Sequence, residues 1–333
     1  MSRTSILFIS LFFLFILLFL ADLAFGSIWI PFKEMGAALS DPNSDSIYRE
    51  IVLNYRLPKA LTAVLVGSAL SVAGLLMQTL FRNPLAGPDV LGVNAGASLG
   101  VALITMFSTG VGSWFLGFGS WGLVAAAVLG AVGVLLLVII TSVRVPDLVS
   151  LLIVGMMFGY IAGSVVSLLQ NTSNPDTLKI FVVWTFGSLS AVSWSMMPVL
   201  VVVVILGVGL AFLLQKSLNA LLLGENYALA LGVSISRTRF YIILATALLA
   251  GGVTAFAGPI GFIGVTVPHI ARGIWKSWNH SIILPASILC GSCLLLLCDI
   301  ASQMPGFTTS LPINSVTALV GAPLIIWILL KRN

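Results

Sequence analysis

Charge-free stretches alternate along this chain with short polar breaks. The stretches cover 60–81, 90–143, 148–175, 180–215, 240–271, 277–298 and 300–330. A helix needs about 20 apolar residues to cross ~30 Å of hydrocarbon, and several stretches are long enough for two crossings. Dividing them at Gly, Pro and polar punctuation predicts ten spans, near 6–26, 58–81, 91–108, 121–142, 148–169, 195–215, 240–257, 260–274, 281–299 and 315–330. The eighth is short and opens on Gly258, Pro259, Gly261 and Gly264. The chain reads as one membrane domain over 1–333, an all-α polytopic protein.

One segment breaks this pattern. KSLNALLLGENYALALGVSISRTR, 216–239, is too short and polar to cross a bilayer. Leu218, Leu221 and Leu222 share a helical face, Gly224 interrupts, and a second turn carries Tyr227, Ala228 and Leu231 before Gly232 stops it. A folded helix–Gly–helix in a loop points to a docking surface for a soluble partner. The other reading is an amphipathic helix resting on lipid.

Composition narrows the class. Of 333 residues, 59% are hydrophobic and 8% charged, against roughly 25% charged in soluble domains; an ordinary soluble enzyme is excluded. The net charge of +5 comes from basic residues at span ends, where they anchor helices and set orientation, so it does not point to nucleic acid. With the N-terminus inside, Arg3, Arg82, Arg144, Lys216, Arg237, Arg239, Arg272, Lys276, Lys331 and Arg332 face the cytoplasm. Lys33, Arg49, Arg56, Lys59 and Lys179 face outward. Both termini and the loops at 82–90, 144–147 and 216–239 are then cytoplasmic. Residues 6–21 after Arg3 read as a retained first span rather than a cleaved signal.

Candidate chemistry is sparse. No G-x-x-x-x-G-K-[ST] phosphate loop occurs. Cys290, Cys293 and Cys298 fall in one apolar run without a second ligand pair, which reads as packing. His269 and His280 lack carboxylate or cysteine companions at metal-ligand spacing. Asp22 and Asp299 lie near outer span ends, which argues against a proton relay across the membrane. No catalytic residue, metal site or cofactor is expected in this chain. A faint echo between LVGSALSVAG (65–74) and LLAGGVTAFAG (248–258) suggests an inverted repeat.

Two blocks differ from generic membrane helix: RLPKALTAVLVGSALSVAGLLMQTLFRNPLAGPDVLGVNAGASLG (56–100) and GPIGFIGVTVPHIAR (258–272). Irregular backbone at membrane depth survives only when buried in protein or lining a wet cavity. RLPK, MQ-x-LFRNPLAGP-x-x-LG, GPIGF-x-G-x-x-VPH-x-AR, LGE-x-x-A-x-x-LG at 223–232 and the closing LP-x-N-x-x-TALVGAPLIIWILLK resemble the permeases of ATP-driven iron–siderophore, heme and vitamin B12 importers. The resemblance runs in matching order from about residue 50 to the C-terminus.

That resemblance implies a vitamin B12 importer-like permease fold of about ten helices in a bacterial cytoplasmic membrane. It further implies a second permease subunit with the passage between the two, two ABC ATPases that hold ATP and Mg, and an external substrate-binding protein. Leu223, Gly224, Glu225, Ala228, Leu231 and Gly232 fall in the ATPase-coupling loop, with Glu225 capping the second helix or meeting a basic residue of the ATPase. Asn83 and Leu85 match the cytoplasmic gate, although Asn83 and Pro84 also read as plain helix caps. Arg56 and Lys59 match positions that hold the binding protein, or serve as interfacial anchors. Ser302, Ser310 and Asn314 depart from the family's Arg, acid and Gly before the last span, which favours a heterodimer over a homodimer. Heme or cobalamin cargo remains open beside iron–siderophore, as does an ion-coupled secondary carrier.

Overall fold

The computed structural model describes residues 3–26, 28–40, 47–106, 117–145, 147–303 and 310–331. Arg332 and the last two residues of the predicted 91–108 span lie outside them. Among the described residues every regular element is helical: α1 (Arg3–Ala24), α2 (Phe32–Ser40), α3 (Ile47–Leu80), α4 (Val93–Met106), α5 (Ser120–Arg144), α6 (Leu148–Thr172), α7 (Pro175–Thr185), α8 (Met197–Leu213), α9 (Gln215–Leu222), α10 (Glu225–Ala230), α11 (Ile235–Ala257), α12 (Ile263–Trp275), α13 (His280–Ser302) and α14 (Ile313–Lys331).

A helix lies over each of the ten predicted ranges. Among the described residues, α1, α3, α5, α6, α11 and α13 are each long and apolar enough to cross a membrane. Helices α8 and α9 pass that test only together, across a 53° bend. Helices α2 and α7 were not expected. Asn174-Pro175 opens α7 with proline in its first turn, where the missing N–H costs nothing.

The core is built around α3. Its length from Val66 to Leu80 is buried on all sides, which requires neighbours that approach its backbone closely. Small residues permit this. An ideal Cβ on Gly67 would stand 2.3 Å from Gly291 O on α13, and one on Gly74 only 1.7 Å from Gly264 O on α12. Hydroxyls join the same crossing, with Ser71 Oγ donating to Ser287 O (2.8 Å) and Ser292 Oγ to Val64 O (3.1 Å). In contrast, α1 and α6 expose most of their apolar surface, as expected of helices solvated by lipid.

Candidate functional site at the cytoplasmic face

The inner ends of α3 and α13 meet α9, and α10 packs against α9 and the start of α11. α9 follows its amphipathic pattern, burying Leu218, Ala220 and Leu221. Gly224 then takes φ +117° and Gly232 φ +81°, angles that glycine reaches without the Cβ clash other residues incur. Two sharp reversals in nine residues make α10 a raised step. Leu223, Tyr227, Leu229 and Leu231 stand out from it at 65, 54, 56 and 59% exposure. An open groove of about 800 Å³ runs beside this step, walled by Arg82, Asp147, Gly224, Glu225 and Tyr227. Asp147 caps α6 by accepting Ser150 N–H (2.8 Å), and that backbone bond holds its carboxyl below the usual range.

Two expectations for this loop need correction. Ala228 is fully buried, so it supports the step from beneath; Tyr227 and Leu229 flank it and stay exposed. Glu225 makes no side-chain cap. Its Oε1 instead accepts from Arg239 Nη2 at 2.9 Å, tying α10 to the start of α11. A half-exposed pair of this kind contributes roughly 0.5–1 kcal/mol. Accordingly, the charge-swapped double variant Glu225→Arg/Arg239→Glu should recover thermal stability lost in either single variant. A double-mutant cycle on melting temperature measures that coupling.

The turn after α3 is closed by its own residues. Leu85 N–H donates to Asn83 Oδ1 (2.9 Å), Ala86 N–H donates to Asn83 O (3.1 Å), and Arg82 is held at φ +47°. His269 Nε2 of α12 meets Pro84 O at 2.8 Å, which fixes the turn to the short helix. Leu85 projects from it, 47% exposed. Asp89 accepts from Asn94 Nδ2, and Asn94 Oδ1 in turn accepts from Thr254 Oγ1 (2.7 Å), so polar groups also join α4 to α11. Among the described residues no three His, Cys, Asp or Glu side chains gather as a metal site.

At the outer end the two cations matched to docking positions turn inward. Arg56 is only 8% exposed. Its Nη1 donates to Leu23 O and Ala24 O (2.8 Å each) and its Nη2 to Ile28 O. Lys59 Nζ pairs with Asp299 Oδ1 at 2.9 Å. Desolvation explains both placements: a cation near hydrocarbon needs oxygens around it. The two side chains nonetheless wall a cavity of about 530 Å³ with Asn54, Tyr55, Gln303 and Ser310. The departures near the last span have structural partners as well. Ser302 Oγ donates to Asp299 O (2.7 Å), and Asn314 Oδ1 accepts Gly261 N–H (3.0 Å), closing the irregular backbone before α12.

Comparison with known proteins settles the class. The profile of the FecCD transport family matches residues 14–331. The chain belongs to the FecCD transport family. A vitamin B12 import system permease protein of Vibrio cholerae serotype O1 is 35% identical, over 100% of this chain and 95% of its own length. A hemin transport system permease protein of Yersinia pestis is 33% identical, over 96% and 95%. An Fe(3+) dicitrate transport system permease protein of Escherichia coli K12 is 32% identical, over 96% and 95%. A solved inward-facing metal-chelate type ABC transporter superposes with a TM-score of 0.86 at 31% identity, covering 98% of this chain and 99% of that one. This FecCD-family permease is therefore a multi-pass, all-helical transport subunit of the ABC importer class, not an enzyme.

Proposed function

We propose that this permease passes an iron–siderophore complex from an external binding protein to the cytoplasm, driven by two ABC ATPases docked on the 216–239 loops of a permease pair. The observation that carries the reading is the raised apolar step of Leu223, Tyr227, Leu229 and Leu231, in the loop that the basic residues assign to the inside, in a chain with no phosphate loop of its own. The step is rigidly footed through Leu218, Leu221 and Ala228, so force applied to it reaches the membrane core rather than dissipating in a loose loop. Leu85 serves as the hydrophobic gate below the passage, and Asn83 holds its turn.

Iron chelates are favoured over vitamin B12 because the superposed transporter is of metal-chelate type, with hemin and Fe(3+) dicitrate permeases among the relatives. A heterodimeric permease is favoured because Ser302 and Ser310 leave the outer mouth without the acid and arginine expected there, while Arg56 and Lys59 spend their charge within the chain. Vitamin B12 is the second reading, supported by 35% identity to a B12 permease across the whole chain.

The deciding experiment is ATP-dependent uptake into proteoliposomes holding the assembled complex, with radiolabelled ferric siderophore, hemin and cobalamin offered separately. Accumulation of cobalamin alone would overturn the cargo, and uptake that follows an ion gradient without ATP would overturn the class. In the same vesicles Leu85→Asp should change ferric-siderophore flux at least about tenfold, since a charge in a hydrophobic constriction disturbs its dewetting. An unchanged rate would remove the gate from Leu85.

A further inference from the structure

We infer that His280 is the positioning residue that ties the coupling helix α9 to the gate-bearing helix α3. This rests on the coupling-loop and gate reading proposed above and names the link between them.

The ring occupies the first residue of α13, 1% exposed, between two elements far apart in sequence. Asn219 of α9 offers its Oδ1 to both His280 N–H and Nδ1, each at 2.9 Å. A side-chain carbonyl has only lone pairs to give, so Nδ1 carries the hydrogen. In the neutral ring Nε2 is then an acceptor, and it faces Thr79 Oγ1 at 2.9 Å, whose one hydrogen is divided between Nε2 and Leu75 O (2.9 Å). Thr79 is 2% exposed in the last turn of α3, four residues before Asn83 and six before Leu85. The chain Asn219–His280–Thr79 thus runs from the proposed ATPase foothold to the last turn before the gate.

Apolar contacts between α9 and its neighbours do not fix direction, because the hydrophobic effect is non-directional. Leu218 and Leu221 can slide on α13 and α3 while staying covered. The hydrogen bonds cannot slide without stranding a buried ring nitrogen, whereas the Thr79 hydroxyl keeps Leu75 O within reach at 2.9 Å. What α9 moves through them is a unit rather than a single helix. Arg272 Nη1 donates to Gln78 Oε1 (2.7 Å), Gln78 Nε2 donates to Val265 O (3.1 Å), and His269 meets Pro84 O. These bonds strap the end of α3, the gate turn and α12 together. His280 is the polar handle by which α9 holds that unit.

The test uses the full complex of permease pair and ATPases in lipid nanodiscs. Leu85→Cys is introduced as a reporter and labelled with a membrane-impermeant maleimide, with and without ATP and Mg; Cys290, Cys293 and Cys298 are buried and give low background. In the otherwise unaltered complex ATP should change the labelling rate. Thr79→Val, which keeps the shape and removes the hydroxyl, should shrink that ATP-dependent change about tenfold. ATPase association should persist, and Thr79→Ser should restore the response. A merely structural role would lower stability in Thr79→Val without abolishing the response of the assembled fraction. If Thr79→Val does not assemble, His280→Asn serves in its place, since its amide keeps the bond to Asn219 and loses only that to Thr79. A full ATP response in the assembled Thr79→Val or His280→Asn complex overturns the link alone. Absence of any ATP response in the unaltered reporter overturns the gate reading beneath it.

Discussion

Tyr227→Asp together with Leu231→Asp is expected to release the ATPase from the permease. Both side chains are more than half exposed, Tyr227 on α10 and Leu231 at its C-cap, four residues apart and so on one side of the step, and neither has a role in packing the membrane core. Aromatic and large apolar anchors at interface centres commonly contribute ~2 kcal/mol or more when truncated, about thirtyfold in Kd. A buried aspartate adds its desolvation to that loss. Co-purification from membranes should fall by roughly two orders of magnitude and ATP-driven uptake with it, while the permease remains inserted and folded. Asn226→Asp, also exposed on α10 but polar already, is the matched control. Retained ATPase in the double variant would remove the docking role from α10.

The second large effect lies where α3 crosses α12. A methyl group at Gly74 would fall 1.7 Å from Gly264 O, a backbone atom that no rotamer change can move aside. Helices must separate to admit it, and overpacking of this kind costs about 1–3 kcal/mol or more. Gly74→Ala should therefore lower the melting temperature of the detergent-purified permease and reduce its yield in the membrane. Gly209→Ala makes the comparison: a Cβ there meets nothing within 4 Å, and the alanine gains up to ~1 kcal/mol in helix propensity. Equal melting temperatures for the two variants would show that the α3–α12 crossing is looser than its geometry implies.

The helices were legible because lipid allows so few alternatives. With no water to satisfy backbone groups, a charge-free stretch of sufficient length has little choice but to be helical, and basic residues at its ends give orientation. The coupling loop was legible for the opposite reason, as polar and glycine-bearing sequence where hydrophobic sequence is the rule. What stayed hidden depended on partners distant in sequence. Arg56 looks like a span-end anchor, and nothing local reveals that carbonyls 28 to 33 residues upstream receive it. The burial of Ala228 beneath α10 follows from the Gly224 reversal, and a helix of six residues leaves no periodic trace of it. His280 showed no metal companions, and its actual partners, Asn219 and Thr79, are neutral residues that carry no signature. The spacing of Tyr227 and Leu231 was the one readable hint of the outer face.

The Arg56 clasp has a consequence for how α1 and α3 depend on each other. The last carbonyls of any helix lack partners within it, and at the outer end of α1 a guanidinium from the following crossing supplies them. Each party is costly to leave alone in a nonpolar surround: the arginine for its charge, the helix end for its bare oxygens. In the folded chain, then, α1 and α3 are complete only as a joined pair, each supplying what the other would lack alone.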